Sequence, residues 1–212
     1  EPGLPRLFSK VGRRLNFTTD AAQAMGKAEV VFIAVGTPPA GDGSLVLSEV
    51  EEAAQAIGRN LNTGRYTVVV NKSTVPVGGS CLVERIIQGN WARQKNNGQP
   101  ENTKDRGSGP ESMFGLVSNP EFLREGSAVQ DTLYPDRVVL GSNQEKALSV
   151  ARELFKPILK QDFPAPFFVP RPRGLTRVPL LVTSLVNAEV IKLAANAFLA
   201  TRISLINEIA GL

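Results

Sequence analysis

Apolar residues cluster along this chain in two rhythms, and the two alternate. Residues 29–35 (EVVFIAV) form a continuous β-branched and aromatic run, the pattern of a strand covered on both faces. Residues 67–70 repeat it, 116–118 and 138–141 give two further buried strands, and 15–18 and 180–183 suggest two short ones. Helical spacing fills the gaps. Thr19-Asp20 caps a brief helix ending at Met25, and Ser48 with Glu51 matches a capping box that opens a helix to about Asn60. Further helices are expected over about 80–88 and over 144–155, the latter stopped before Pro157. Strand, turn, helix, repeated, is the rhythm of a parallel sheet with crossover helices, an α/β fold.

Residues 89–112 interrupt the rhythm. They are rich in Asn, Gly, Gln, Lys and Pro, and read as a surface insertion that Trp91 packs onto the body. Residues 164–179 form a proline- and arginine-rich connector. The last element is the longest: over 184–209 Val186, Val190, Leu193, Ala194, Ala197, Phe198, Leu205, Ile206 and Ile209 recur at helical spacing. Lys192 and Asn196 lie four apart on that helix and share a face. Asn is a poor interior helix residue, yet Asn196 stands between alanines in the most apolar part, a conflict of the kind found at functional positions.

Chemistry concentrates where strands end. After the strand at 116–118, Asn119-Pro120 stops the ladder, and Glu121 and Glu125 follow four residues apart. If the segment coils, both carboxylates share a face just past a strand terminus, where open α/β sheets hold their ligands. Two solvated acids on a surface turn is the alternative. The turns at 36–39, 73–75 and 121–125 each follow a strand, so a parallel sheet brings them to one crevice.

Composition narrows the chemistry. The chain has 212 residues, enough for one large core or one domain and part of another, with ordinary globular composition. A net charge of +4 is too small and too scattered for a nucleic-acid groove. No histidine is present, so acid–base work falls to Glu, Asp, Lys or an activated water, and no metal cluster is expected. The single cysteine, Cys81, makes no internal disulfide, which suits a reducing, cytoplasmic setting. No stretch reaches the length of a membrane span. The chain begins on a turn at Glu1-Pro2-Gly3 and closes inside an apolar helical pattern, so it reads as an internal fragment of a longer enzyme.

The segments VGTPP, NKSTVPVG, NPEFLREG, YPDR and KLAANAFLATRISLINE, in this order, resemble the UDP-glucose 6-dehydrogenase family of nucleotide-sugar dehydrogenases. The resemblance runs over nearly all of the chain except 89–112. It implies a partial Rossmann-like parallel sheet with crossover helices, followed by a long central helix: residues 1–155 from the later part of an NAD-binding domain, 156–183 as connector, 184–212 as the start of the central domain. Such enzymes oxidise UDP-glucose to UDP-glucuronate with two NAD⁺ through a cysteine thioester. The resemblance implies that Val35, Gly36, Thr37, Pro38, Pro39, Ser73, Thr74 and Val75 line NAD, with Glu125 nearby. It makes Glu121 the carboxylate for thioester hydrolysis, with Thr74 holding the water, and Lys192 and Asn196 the pair that bonds the sugar's reacting oxygen. Phe122, Leu123 and Arg124 border the substrate. The Gly-rich turn is expected before Glu1 and the nucleophilic cysteine well after Leu212; Cys81, at a helix start, reads as a small buried residue instead. GDP-mannose and UDP-N-acetylmannosamine are the rival substrates, and an inactive binding or structural module is the rival of another class. A homodimer or higher homo-oligomer of the full-length protein is also implied.

Overall fold

The computed structural model describes residues 1–62, 64–95 and 113–211. The helices are α1 (Leu4–Val11), α2 (Ala21–Met25), α3 (Ser48–Asn60), α4 (Gly79–Lys95), α5 (Ala128–Leu133), α6 (Glu145–Lys160) and α7 (Leu185–Ala210). The strands are β1 (Val30–Ile33), β2 (Thr67–Asn71), β3 (Phe114–Ser118), β4 (Val138–Gly141) and β5 (Leu180–Thr183). They form one sheet in the order β1-β2-β3-β4-β5.

Alternation along the central strands builds two cores. Val69, Phe114 and Leu116 face α3 and α4 with Ile33, Val50, Ala54 and Ile87, whereas Val68, Val70 and Val117 face α6 with Ala147, Leu148 and Ala151. Successive side chains of a strand point to opposite faces, so β2 and β3, buried along their whole length, supply both layers.

The sheet is mostly parallel rather than wholly so. β1–β2, β2–β3 and β4–β5 are parallel, but β4 runs antiparallel to β3 and meets it at a single register pair, Ser118 with Gly141. The short α5 does not carry the chain back across the sheet, so β4 starts beyond the end of β3 and runs back toward it. Side chains reinforce the join: Asn119 Nδ2 donates to the Val139 carbonyl at 2.9 Å and Ser142 Oγ to the Leu116 carbonyl at 2.6 Å.

Several sequence expectations are corrected. Residues 15–18 form no strand among the described residues, and Phe17 is exposed. β1 is not covered on both faces: it is an edge strand among the described residues, with Phe32 42 % exposed. The capping box at Ser48 does not form, because Ser48 is already helical and Leu47 occupies the cap position, its carbonyl accepting the Glu51 N–H. Asp20 does cap, accepting from the N–H groups of Ala22 and Gln23.

α4 runs past Gln88 to Lys95 because burial of Ile87 and Trp91 in the core outweighs the helix cost of Gly89. Residues 89–95 of the expected insertion are thus helical, and its residues 96–112 lie outside the described ones. α6 continues through Pro157, since Phe155, Ile158 and Leu159 all pack against the second core. It ends at Gln161, whose left-handed backbone returns its N–H to Ile158. On α7 the buried residues are Leu185, Ala188, Glu189 and Lys192, whereas Val186, Val190, Phe198, Leu205, Ile206 and Ile209 are exposed. The apolar stripe is thus not the face this helix lays on the sheet.

Candidate functional site

Three strand exits meet through hydrogen bonds. The N–H groups of Lys72 and Ser73 both donate to the Ile33 carbonyl, at 2.8 and 3.2 Å. Ser73 Oγ then accepts from the Val35 N–H at 2.9 Å and donates to the Val35 carbonyl at 2.8 Å. Those four bonds lock the turn after β1 to the turn after β2. On the other side the Asn119 N–H donates to the Asn71 carbonyl at 2.9 Å, joining the turn after β2 to the segment that carries Glu121.

α7 crosses this junction. Its start is pressed against β4 at Gly141, where a Cβ would lie 2.6 Å from both the Ala188 Cβ and the Ser184 carbonyl oxygen. Ser184 caps the helix by accepting the Asn187 N–H. One turn further in, Glu189, 3 % exposed, accepts the Gly78 N–H at 2.7 Å and the Ser80 N–H at 2.6 Å, fixing α7 to the start of α4. Lys192 follows on the same face, 7 % exposed, and its Nζ donates to Glu121 Oε1 at 3.0 Å. Glu121 Oε2 accepts the Leu123 N–H at 2.6 Å. The Phe122 ring has Lys192 Nζ 5.4 Å from its centroid and the Arg137 guanidinium at 4.5 Å, close enough for both cations to interact with its face.

Thr74 is half-buried in the loop that runs from Lys72, which lines a cavity with Glu121, to Gly78, whose N–H donates to Glu189 of α7. Val75 is buried; Gly36, Pro38 and Pro39 are exposed, and Val35 and Thr37 half-buried. The exposed Gly36 and small neutral side chains at two parallel strand ends fit the approach of a dinucleotide's backbone. Glu121 and Glu125 do not share a helical face, because 119–124 is irregular and Glu125 sits exposed on the following turn. Pro120 and the Leu123 bond to Glu121 hold that segment out of a helix. Leu123 and Arg124 are exposed, and Asn196, one turn beyond Lys192, is exposed too, not enclosed among the apolar residues flanking it. Cys81 is half-buried in the first turn of α4.

Two charged residues of this site escape sequence reasoning. Lys72 lines a cavity of about 350 Å³ with Asn119, Glu121, Phe122, Arg124 and Asp131, and burial pushes its ammonium below the usual lysine range; Glu121 opposes that shift and Lys192 adds to it. Glu189 carried a signal: a carboxylate one turn before a lysine in an apolar helix. Across the cavity Arg124 binds Asp131 through two side-chain bonds and one from its main chain, and this holds the Asp131 carboxyl down at about 2. No group of three or more metal-binding side chains occurs among the described residues, and no described helix is long and apolar enough to cross a membrane.

The sequence matches a family model described as the NAD binding domain of the UDP-glucose/GDP-mannose dehydrogenase family over residues 1–159, and the central domain of that family over 186–212. It is 42 % identical to UDP-glucose 6-dehydrogenase TuaD of Bacillus subtilis (strain 168) over all of this chain and 38 % of that protein. The UDP-glucose 6-dehydrogenase of Rhizobium meliloti (strain 1021) is also 42 % identical, over all of this chain and 42 % of its own. Among solved structures, a UDP-glucose dehydrogenase from Pyrobaculum islandicum superposes with a TM-score of 0.74 at 38 % identity, covering 99 % of this chain and 41 % of that one. A ternary complex of GDP-mannose dehydrogenase from Pseudomonas aeruginosa gives 0.77 at 26 % identity, with the same coverage. The chain spans about two fifths of the length of the curated relatives it matches.

Proposed function

Because the chain belongs to the UDP-glucose/GDP-mannose dehydrogenase family, we propose that it is part of an NAD-dependent dehydrogenase that oxidises UDP-glucose to UDP-glucuronate in the cytoplasm, as a homo-oligomer. In this reading residues 1–155 form the later part of the NAD-binding unit, 156–183 connect, and 184–212 open the central helical domain. Val35, Gly36, Thr37, Pro38, Pro39, Ser73, Thr74, Val75 and Glu125 would hold the cofactor, and two NAD⁺ bound in turn would each supply the acceptor for one hydride from C6 of the sugar.

The observation that carries the proposal is the 3.0 Å pair between Lys192 and Glu121, 71 positions apart, at the junction of three strand exits. Lys192, with Asn196 one turn on, donates to the sugar's C6 oxygen and stabilises negative charge as it develops there. A preorganised donor in a partly dry site is worth about 3 kcal/mol of barrier. Glu121 acts as base toward the water that hydrolyses the thioester, which is formed on a cysteine outside this chain, and Thr74 orients that water. Phe122, Leu123 and Arg124 border the sugar nucleotide.

The test is NADH production by the full-length protein with UDP-glucose, GDP-mannose and UDP-N-acetylmannosamine in turn. The highest kcat/KM is expected with UDP-glucose; tight binding without turnover of any of the three would replace the enzyme with a binding module. Lys192→Ala should lower kcat roughly 10²- to 10³-fold. In stopped-flow traces Glu121→Gln should slow hydrolysis more than the first hydride transfer, and equal loss in both steps would reject its assigned role.

A further inference from the structure

Glu121 has both oxygens engaged, one by the Lys192 ammonium and one by the Leu123 N–H. If Lys192 turns to a sugar oxygen, as proposed above, it weakens its bond to a half-buried carboxylate. A part-buried carboxylate deprived of its cation is left with less compensation than a fully solvated one, and a second cation in reach stabilises it.

The charged groups around the cavity leave one candidate. Arg124 and Asp131 bond each other, Arg137 lies over the Phe122 ring, and Asp136 carries the wrong sign. Lys72 has no carboxylate within ion-pair distance among the described residues, and its side chain lines the cavity that Glu121 lines. Its main chain is fixed by the bond to Ile33, so the stem starts from a set point at the carboxyl end of β2. We propose that Lys72 is the alternate cation of Glu121, a positioning residue that takes up the carboxylate's charge when Lys192 engages substrate. The pull of Glu121 and push of Lys192 already felt by the Lys72 ammonium are what such an exchange requires. Two lysines around one carboxylate also leave the site one positive charge in surplus, facing an anionic substrate. The inference rests on Lys192 as the ligand of the sugar's oxygen.

The test uses the full-length protein and two readouts. In the first, acetic anhydride labelling read by mass spectrometry across pH gives the titration midpoint of Lys72. It should fall in Glu121→Gln, rise in Lys192→Met, and rise in the unchanged protein when UDP-glucose is added without NAD. A midpoint unmoved by both substitutions would overturn the proposal, as would one unmoved by a bound sugar nucleotide. In the second, stopped-flow traces of Lys72→Met should show thioester hydrolysis slowed more than the first hydride transfer, since Glu121 loses its alternate cation, and Lys72→Arg should restore it. Hydrolysis unslowed by Lys72→Met would also overturn it. Should the unaltered protein oxidise none of the three nucleotide sugars, the substitution arms of the labelling still decide whether Lys72 and Glu121 are coupled, while the activity reading falls separately.

Discussion

Ser73 shows what a single hydroxyl does at this junction: it donates to and accepts from the main chain of Val35, so two loops move as one. Ser73→Ala leaves a part-buried N–H and carbonyl without that partner, and should cost about 1–3 kcal/mol in urea unfolding. Asp131 gives a pH signature. Arg124 lowers its carboxyl to about 2 in the folded chain, below the ordinary aspartate range near 4. A depressed carboxyl stabilises the fold above its unfolded pKa, and that contribution is lost as pH falls through the folded value. Urea midpoints measured from pH 5 to pH 2 should therefore fall more steeply in the wild type than in Asp131→Asn; parallel curves would contradict this account. At this scale the sequence marked Glu121 and Lys192 by position and type, but it left Lys72 unmarked and signalled Glu189 only by its place one turn before a lysine. Each lies on an element whose neighbours are far away in sequence, so only folding shows what faces it.

Among elements, α7 is held by a few contacts near its start. Glu189 satisfies two N–H groups at the head of α4, and Gly141 permits the close approach to β4. Glu189→Ala strands those donors and should cost roughly 2–5 kcal/mol, with accelerated amide exchange at Gly78 and Ser80. Gly141→Ala puts a methyl where Ala188 and Ser184 already lie. It should destabilise by about 1–3 kcal/mol and lower kcat by moving Lys192; unchanged melting and unchanged turnover would show that α7 is not positioned through β4. Strand runs were legible because a continuous β-branched run bounded by Gly or Pro has few other homes. Helix ends were less so. Gly89 and Pro157 are local stop signals, and both were overridden by apolar side chains packing against partners distant in the chain.

For the whole molecule, the far half of α7 stands clear of the sheet with Phe198, Leu199, Ile203, Leu205 and Ile206 exposed. Apolar surface of that extent drives association. The 212-residue chain should self-associate with rising concentration in light scattering, and replacing Leu199, Ile203 and Ile206 together by Ser should reduce it.

By itself the sequence determined that this is an α/β chain, roughly where the five strands of its sheet lie, and which short motifs follow them. These are properties of local periodicity and turn chemistry. Only the tertiary structure decided that β4 turns back against β3, which face of α7 is covered, and that Lys192 lands on Glu121 with Lys72 in the same cavity. Those outcomes depend on contacts between residues tens of positions apart, and no local pattern encodes the register in which such elements dock.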